Sequence, residues 1–592
     1  MDQDFVGHLR AQAARYAHHR GYSFVHWRTG ELVSDRLSYA ELDARAERLA
    51  RRLTALDMRG RTVLLLYPAG LDFVVAFLAC LYARVIAVPV PLPGNSPESR
   101  ARTALIAQDA DATWALSITE HAANLREWTA TAGLDVRFLA TDVTGDDASQ
   151  AAAATTEGAG ERPGPVADPA ATAYLQYTSG STSQPRGILV THANLAHNQR
   201  SIHSLHGRST SGAVAGWLPH HHDMGLVGQI LHPLYAGLDL YFTAPYTFVK
   251  RPVVWPMMIS KYGATTTVAP NFGYEWCARQ VSEQQMAGLN LTTLVAALTG
   301  AEPVRARTLR EVTQRWQPHG FNPAALMPVY GLAEATLLVS GSTPGHGARV
   351  TRFAAATLQA GQAVADDHDG VELVSCGSPV DLDVRVVDPA SRVPLADGAV
   401  GEIWIRGASV AHGYANRRDA TADTFHARLD NGDGPFLRSG DLGFLHIGEL
   451  FVTGRIKDMV VINGRNLYPE DIEEAAHVHP ACGTTAAFGI DVDGEHIIVV
   501  QEVTNRQLAG CGLPELSRSV LSAVVRQCEV ASASVVLVRR GAVDKTTSGK
   551  VRRASMRQRF LRRDLKPLHL ELAAKVGQLW ADPSTASDPA HR

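Results

Sequence analysis

The side chains best suited to chemistry sit in five short strings. The first, LQYTSGSTSQPRGILVTH (175–192), sets Thr178, Ser179, Gly180, Ser181 and Thr182 between apolar flanks that read as strands. Hydroxyls and closely approachable backbone N–H groups are what a polyphosphate needs, and Arg186 adds a forked cation at the loop's end. The spacing is not that of a P-loop. A bland polar turn is the alternative on this string alone.

The second string, GWLPHHHDMGLVG (216–228), holds three successive histidines. Neighbours in an extended segment point to alternate sides and cannot all grip one metal. His222, beside Asp223, is the better candidate for lining an anion or carboxylate site. In MPVYGLAEATLLVS (327–340), Glu334 offers an oxygen to a Mg²⁺ held mainly by phosphates, and Tyr330 offers a ring to a base. The same letters are equally a helix start. In FLRSGDLGF (436–444), Asp441 between glycines can reach two ribose hydroxyls, with Arg455 a hairpin away. In DKTTSGKVRR (544–553), Lys550 on a glycine-containing turn is a mobile cation, or only a surface lysine. Two decoys fall away. GAGERP (158–163) lacks the third glycine of a dinucleotide fingerprint, and without G-x-S-x-G Ser181 is a poor hydrolase nucleophile.

The elements that must position these groups follow from the apolar pattern. TVLLLY, FVVAFLACLYA and VIAVPV (62–90) form a β-α-β unit whose continuous apolar strands suit a parallel sheet covered on both faces. From 171 to about 340 a second α/β unit follows. After 371, short strands with Gly and Asp turns suggest a small β-barrel or sheet. From about 456 the texture is α+β. The stretch 144–170 reads as an exposed linker and the last residues as a disordered tail. At 592 residues several domains are expected. A net charge of −3 gives no global argument for nucleic acid or an anionic membrane. Six scattered cysteines without a C-x-x-C pair fit a reducing compartment. No signal peptide or membrane-spanning run is read, so a cytoplasmic protein is expected.

YTSGSTSQPRG, YGLAE, SGDLG, GRIKD and TTSGK, in this order, resemble the acyl-adenylate-forming superfamily over nearly the whole chain. LPHHHDMGL, APNFGYEWC, YGLAEATLLVSG and GRNLYPEDIE look most like the fatty acyl-AMP ligases. The segment at about 342–372 is similar to the insertion that distinguishes those ligases, held to restrict domain motion and disfavour the CoA-using reaction. The resemblance implies an N-terminal adenylate-forming domain (1–455) of two α/β subdomains plus a small β-barrel. A mobile α+β C-terminal domain (456–575) would carry Lys550, and a disordered tail (576–592) would follow. It implies ATP and Mg²⁺ as cofactors, and a fatty acid and an acyl carrier protein as partners. The reaction implied is formation of an acyl-adenylate with release of pyrophosphate, then acyl transfer to the carrier's phosphopantetheine thiol.

By the same resemblance, residues 178–182 with Arg186 cradle phosphates, Glu334 holds Mg²⁺, and Tyr330 and Gly331 meet adenine beside Gly300 and Ala301. Asp441 and Arg455 bind ribose, Lys550 stabilises charge on the α-phosphate and carboxylate, and Lys457 is the hinge. The acyl pocket draws on Trp217, Asp223, Met224, Asn271, Phe272, Gly273 and Leu332, with His222 at the carboxylate. Ser183 and Arg186 stand where the family generally has glycine and lysine. Arg557, Arg559 and Arg562 lie on a basic stretch that could steer an acidic carrier, or is merely a solvated face. The rival activities are an acyl-CoA ligase and a catalytically silent scaffold that binds acyl-adenylate.

Overall fold

The computed structural model describes residues 4–581 apart from residues 95, 144–167, 179–184, 208–210, 369, 463–464, 480, 493, 505–511, 529 and 547–548. Two large sheets carry the N-terminal domain. A six-stranded sheet takes Arg137–Ala140, Trp114–Ser117, Thr62–Leu65, Ile86–Pro89, Thr172–Tyr177 and Gly187–Thr191 in spatial order. Its members run parallel except the last pair, which is antiparallel and flanks the hydroxyl-rich loop. The helix Leu71–Ala83 between two of these strands is buried along nearly its whole surface, which its unbroken apolar run requires. A nine-stranded sheet has a parallel centre, including Thr266–Pro270, Ala296–Gly300 and Leu326–Gly331, with antiparallel strands at both edges. Chain connections through helices force this parallel arrangement, and they bring the carboxyl ends of the central strands to one side.

The segment expected to form a small barrel differs. Among the described residues no closed barrel exists; Asp383–Val387, Gly401–Arg406, Leu437–His446 and Glu449–Arg455 make an open four-stranded antiparallel sheet. The apolar face that closure would bury is covered instead by the hairpin Val350–Phe353/Val371–Val374. Phe353 packs 5.0 Å from Phe444 and 5.3 Å from Phe451.

The C-terminal domain has its own four-stranded sheet, Cys482–Asp491, Glu495–Val503, Ala533–Arg539 and Pro567–Glu571, with mixed strand directions. Its apolar cores draw on residues from Val460 to Val576, whereas those of the larger domain stop at Phe451. Residues 576–581, expected to open the tail, belong to the helix Ala574–Ala581, and the rest of the expected tail lies outside the described residues. Val576 is buried, and the Trp580 ring lies 5.1 Å from Phe560. The linker-like stretch falls mostly outside the described residues. No described helix is long and apolar enough to cross a membrane.

Candidate functional site

A cavity of about 2500 Å³ lies at the strand ends, between the two domains. The strand Leu326–Gly331 delivers Glu334 to it through a tight turn, Ala333–Ala335. Gly331 is required there, since a Cβ would sit 1.8 Å from the Leu337 carbonyl. Thr336 follows with φ of +70°, a conformation rare for a β-branched residue, held by its hydroxyl donating to the Ser409 carbonyl at 2.7 Å. The Tyr414 hydroxyl donates to Glu334 Oε1 at 3.0 Å, and the Arg186 guanidinium lies 5.5 Å from the Tyr414 ring centre. Burial raises the Glu334 carboxyl above its usual range, so a cation brought beside it would restore the charged form.

The ends of the phosphate-type loop are tied together below this group. Tyr177 donates to Asp109 at 2.9 Å, Arg417 bridges to Asp109 at 2.7 Å, and Arg417 also donates to the Pro185 carbonyl at 3.3 Å. Thr178 and Arg186 line the cavity. Ser179, Gly180, Ser181, Thr182 and Ser183 lie outside the described residues.

Asp441 and Arg455 face each other across a strand pair. Arg455 Nε donates to Asp441 Oδ1 at 2.8 Å, and the Tyr330 hydroxyl donates to Oδ2 at 2.8 Å. Both carboxylate oxygens are thereby fixed. The charge of Asp441 holds Arg455 firmly protonated. Burial pushes the Tyr330 phenol up, so the hydroxyl remains a donor. The ring expected to meet a base is anchored by the same carboxylate expected to meet a ribose.

Lys550 comes from the other domain. The Thr546 N–H donates to the Lys550 carbonyl at 2.8 Å, and the Lys550 N–H to Thr546 Oγ1 at 3.1 Å. Gly549 has φ of +87°, and a Cβ there would lie 2.6 Å from the Phe272 ring. The glycine therefore lets the turn seat on the helix Asn271–Gln280 of the larger domain. Burial, then the nearby Arg455 charge, lowers the Lys550 ammonium's pKa, while Asp223, Glu302 and Asp441 oppose the shift. Glu302 escaped the sequence reading. It accepts the Phe272 N–H at 2.5 Å and stands in GAEP, directly after the Gly300 and Ala301 that did attract notice.

The triple histidine is not extended; it turns into the wide helix Met224–Leu231, which has π-helical bonding. Asp223 Oδ1 caps that helix by accepting the Met224 N–H at 2.7 Å. The His220 ring packs 4.0 Å from Phe73, and Gln176 donates to the His221 carbonyl at 2.9 Å. Only His222 of the three lines the cavity, and burial, followed by the neighbouring His221, keeps it neutral. Among the described residues no group of three metal-ligating side chains exists. A magnesium ion carried on phosphates, needing one protein carboxylate, is the kind Glu334 fits.

Apolar walls complete the cavity. Trp217 stacks on Phe248 at 3.8 Å, and a Cβ on Gly273 would lie 2.5 Å from that indole. Asn271 Oδ1 accepts the Arg305 N–H at 3.1 Å. Phe272, Met224, Leu332 and Ala301 also line it. Gly300 abuts the Val329 carbonyl, 2.5 Å from where a Cβ would stand. Lys457 lies in the short turn Ile456–Asp458 at the domain junction, its pKa lowered by burial and then by Arg455.

The profile of AMP-binding enzymes matches residues 9–415. The chain belongs to this family, among its fatty-acid–AMP ligases. A second profile, the AMP domain of Disco-interacting protein 2-like proteins, matches residues 457–569. The enzyme is 40% identical over 566 residues to the medium-chain-fatty-acid–[acyl-carrier-protein] ligase JamA of Moorena producens, covering 93% of each chain. It is 34% identical to the long-chain-fatty-acid–AMP ligase FadD26 of Mycobacterium marinum, covering 94% of this chain and 97% of that one. A fatty acyl-adenylate ligase from L. pneumophila, solved with acyl adenylate and pyrophosphate, superposes with a TM-score of 0.73 at 34% identity. That alignment covers 96% of this chain and 97% of the other.

Side-chain contacts of this AMP-binding enzyme cross from the larger domain to the smaller one. Within the insertion-like segment, Gln359 accepts from Arg465 Nε of the C-terminal domain at 2.7 Å. Arg305 and Arg307 both reach Glu474, at 2.9 and 2.7 Å. On the basic helix Arg553–Leu561, Arg559 is committed to Asp544 at 2.7 Å, while Arg557 and, just beyond the helix, Arg562 are exposed.

Proposed function

We propose that this protein activates a fatty acid with ATP and passes the acyl group to the phosphopantetheine thiol of an acyl carrier protein. A carboxylate is a poor electrophile because oxide is a poor leaving group. In the first step a carboxylate oxygen attacks the α-phosphorus, the bond to pyrophosphate breaks, and pyrophosphate leaves. In the second step the thiol sulfur attacks the acyl carbon, AMP leaves with the bonding electrons, and the thiol proton passes to solvent. The observation that carries this reading is Lys550, an ammonium in the same cavity as Glu334 and the Asp441–Arg455 pair.

In this reading Asp441 and Arg455 hold the ribose, and Tyr330, Gly331, Gly300 and Ala301 frame the adenine. Thr178 to Thr182 and Arg186 hold the phosphates. Glu334 would hold a phosphate-borne Mg²⁺, which screens the triphosphate charge. Lys550 neutralises charge where two anions must meet, and neutral His222 donates a hydrogen bond to the substrate carboxylate. The alkyl chain takes the apolar wall of Trp217, Met224, Phe272 and Leu332, each buried methylene contributing about 0.8 kcal/mol. The boundary near 455–456 and Lys457 serve as the hinge that exchanges the two half-reactions.

A CoA-using reaction is the second reading; the likeness to a medium-chain-fatty-acid–[acyl-carrier-protein] ligase at 40% identity favours the carrier. The test supplies ATP, Mg²⁺ and a panel of fatty acids, with either CoA or a phosphopantetheinylated carrier, and identifies products by mass spectrometry. Acyl-carrier with little acyl-CoA is expected. Acyl-CoA as the main product would replace this reading with the second, and absence of any adenylate would leave only a scaffold.

A further inference from the structure

One rim of the larger domain borders the cavity without carrying any of the groups assigned above to the nucleotide. On the helix Pro245–Lys250, Val249 is 48% exposed and also lines the cavity, with Trp276 beside it. The Trp276 indole N–H donates to the Val249 carbonyl at 3.2 Å, which fixes this rim. A smaller cleft of about 390 Å³ shares Val249 and Trp276 and is walled further by Trp27, Lys250 and Arg251. Next to it Tyr246 is 66% exposed, a large aromatic left in solvent.

Three cations gather on aromatic faces around this cleft. Lys250 Nζ lies 4.5 Å from the Tyr246 ring centre, Arg251 5.8 Å from Trp27, and Arg540 of the C-terminal domain 5.3 Å from Trp276. Among the described residues none of the three meets a carboxylate, whereas Arg553 and Arg559 on the basic helix are both paired with acids. Positive charge set on aromatic faces with no internal partner is charge available to a partner from outside.

We propose that this aromatic and basic rim docks an acidic carrier protein, with its pantetheine arm entering the cavity past Val249 and Trp276. The inference rests on the carrier-transfer reading above. Lys250 and Arg251 face the partner's acidic side chains and its phosphodiester, while Tyr246 and Trp27 supply apolar contact. A concave cleft that shares Val249 and Trp276 with the reaction cavity suits a protein bearing a narrow arm better than it suits a flat lipid surface. Arg557 and Arg562 form the rival surface.

The experiment compares the unaltered enzyme with the double variant Lys250→Glu, Arg251→Glu and with Arg557→Glu, Arg562→Glu. Three rates are read at low salt: pyrophosphate release with fatty acid and ATP, acyl transfer to free pantetheine, and acyl transfer to carrier protein. The first double variant should lose at least tenfold in transfer to carrier while keeping the other two rates, and the unaltered enzyme's transfer should weaken as salt rises. Retained transfer to carrier overturns the proposal, as does loss confined to the Arg557/Arg562 variant. A parallel loss of pyrophosphate release also overturns it, since the rim would then serve adenylation. Binding to phosphatidylglycerol vesicles that only the Lys250/Arg251 variant loses, with carrier transfer intact, overturns it in favour of a membrane surface. If the unaltered enzyme forms no adenylate with any fatty acid, the underlying reading fails, an outcome separate from failed docking.

Discussion

The cavity's two sides are built on opposite plans. On the larger domain Asp441, Arg455, Tyr330, Glu334 and Tyr414 form bonded sets in which carboxylate oxygens already have partners at 2.8 to 3.0 Å. On the smaller domain Lys550 rides on a turn whose hydrogen bonds are internal to that turn, and among the described residues its ammonium makes none. The contrast separates two tasks. In the reading proposed above, the bonded frame is set during folding and costs no reorganisation in the reaction, while the lysine would meet charge that exists only in the transition state. A cation fixed by its own ion pair could not leave with its domain.

The largest break in that contrast is Lys550→Ala. Adenylate formation should fall by about 10²–10³-fold, the scale of losing one preorganised transition-state contact, with thermal unfolding little changed. A variant within a few-fold of the unaltered rate would remove Lys550 from the chemistry. Next is Asp441→Asn, which leaves the Arg455 charge without its partner and releases half of the Tyr330 anchor. The Michaelis constant for ATP should rise by roughly tenfold or more while the fold loses little stability, because the Arg455 side chain is 46% exposed and water takes up its charge. An unchanged constant for ATP would detach the pair from the nucleotide.

The pH profile sharpens the same comparison. Burial and Arg455 lower the Lys550 pKa, so the free enzyme loses this proton at a lower pH than an ordinary lysine, whose value is 10.5. The protonated form is the active one, so kcat/KM should fall on the alkaline side with a midpoint below 10.5, and Lys550→Ala should lack that limb. A midpoint at or above 10.5 contradicts the buried placement. A smaller effect belongs to Tyr414→Phe. One hydroxyl is lost from Glu334, worth about 0.5–1.5 kcal/mol, so the Mg²⁺ concentration for half-maximal rate should shift by a few-fold.

The sequence made these two plans unequally legible. Asp441 stood out because glycines on either side of a carboxylate mark backbone that must approach a ligand, whereas Glu334 gained its role from its place in a family order. Lys550 stood out only by its place in a family order, since a lysine on a turn is also the commonest kind of surface residue. Tyr414 left no signal at all, and the only mark of Glu302 was its place directly after Gly300 and Ala301. Tyr414 lies 80 positions from Glu334, and no local spacing encodes so remote a pairing. The expected barrel proved an open sheet for a related reason: short alternating strands specify pairing, but Phe353, far along the chain, decides which face is covered. For the triple histidine the extended backbone assumed from its letters was wrong, since the chain turns into a helix, yet His222 is the one of the three that lines the cavity.

The smallest effect tests whether the two sides are held apart by design. Gln359 of the inserted hairpin region accepts from Arg465, and Gln359→Ala removes that contact without touching the cavity. A hydrogen bond to a charged donor is worth about 1.5–3 kcal/mol when dry, and less here because both groups are partly exposed. If this segment restrains rotation of the C-terminal domain, the adenylation rate should hold while acyl transfer to the carrier speeds up by a few-fold. If both rates stay as they were, the restraint lies in the broader ion pairs of Arg305 and Arg307 with Glu474, and the charge reversal Glu474→Arg becomes the sharper probe. The order of these two effects tells whether the insertion or the helix Pro469–Ala475, which carries Glu474, sets how readily Lys550 leaves the cavity.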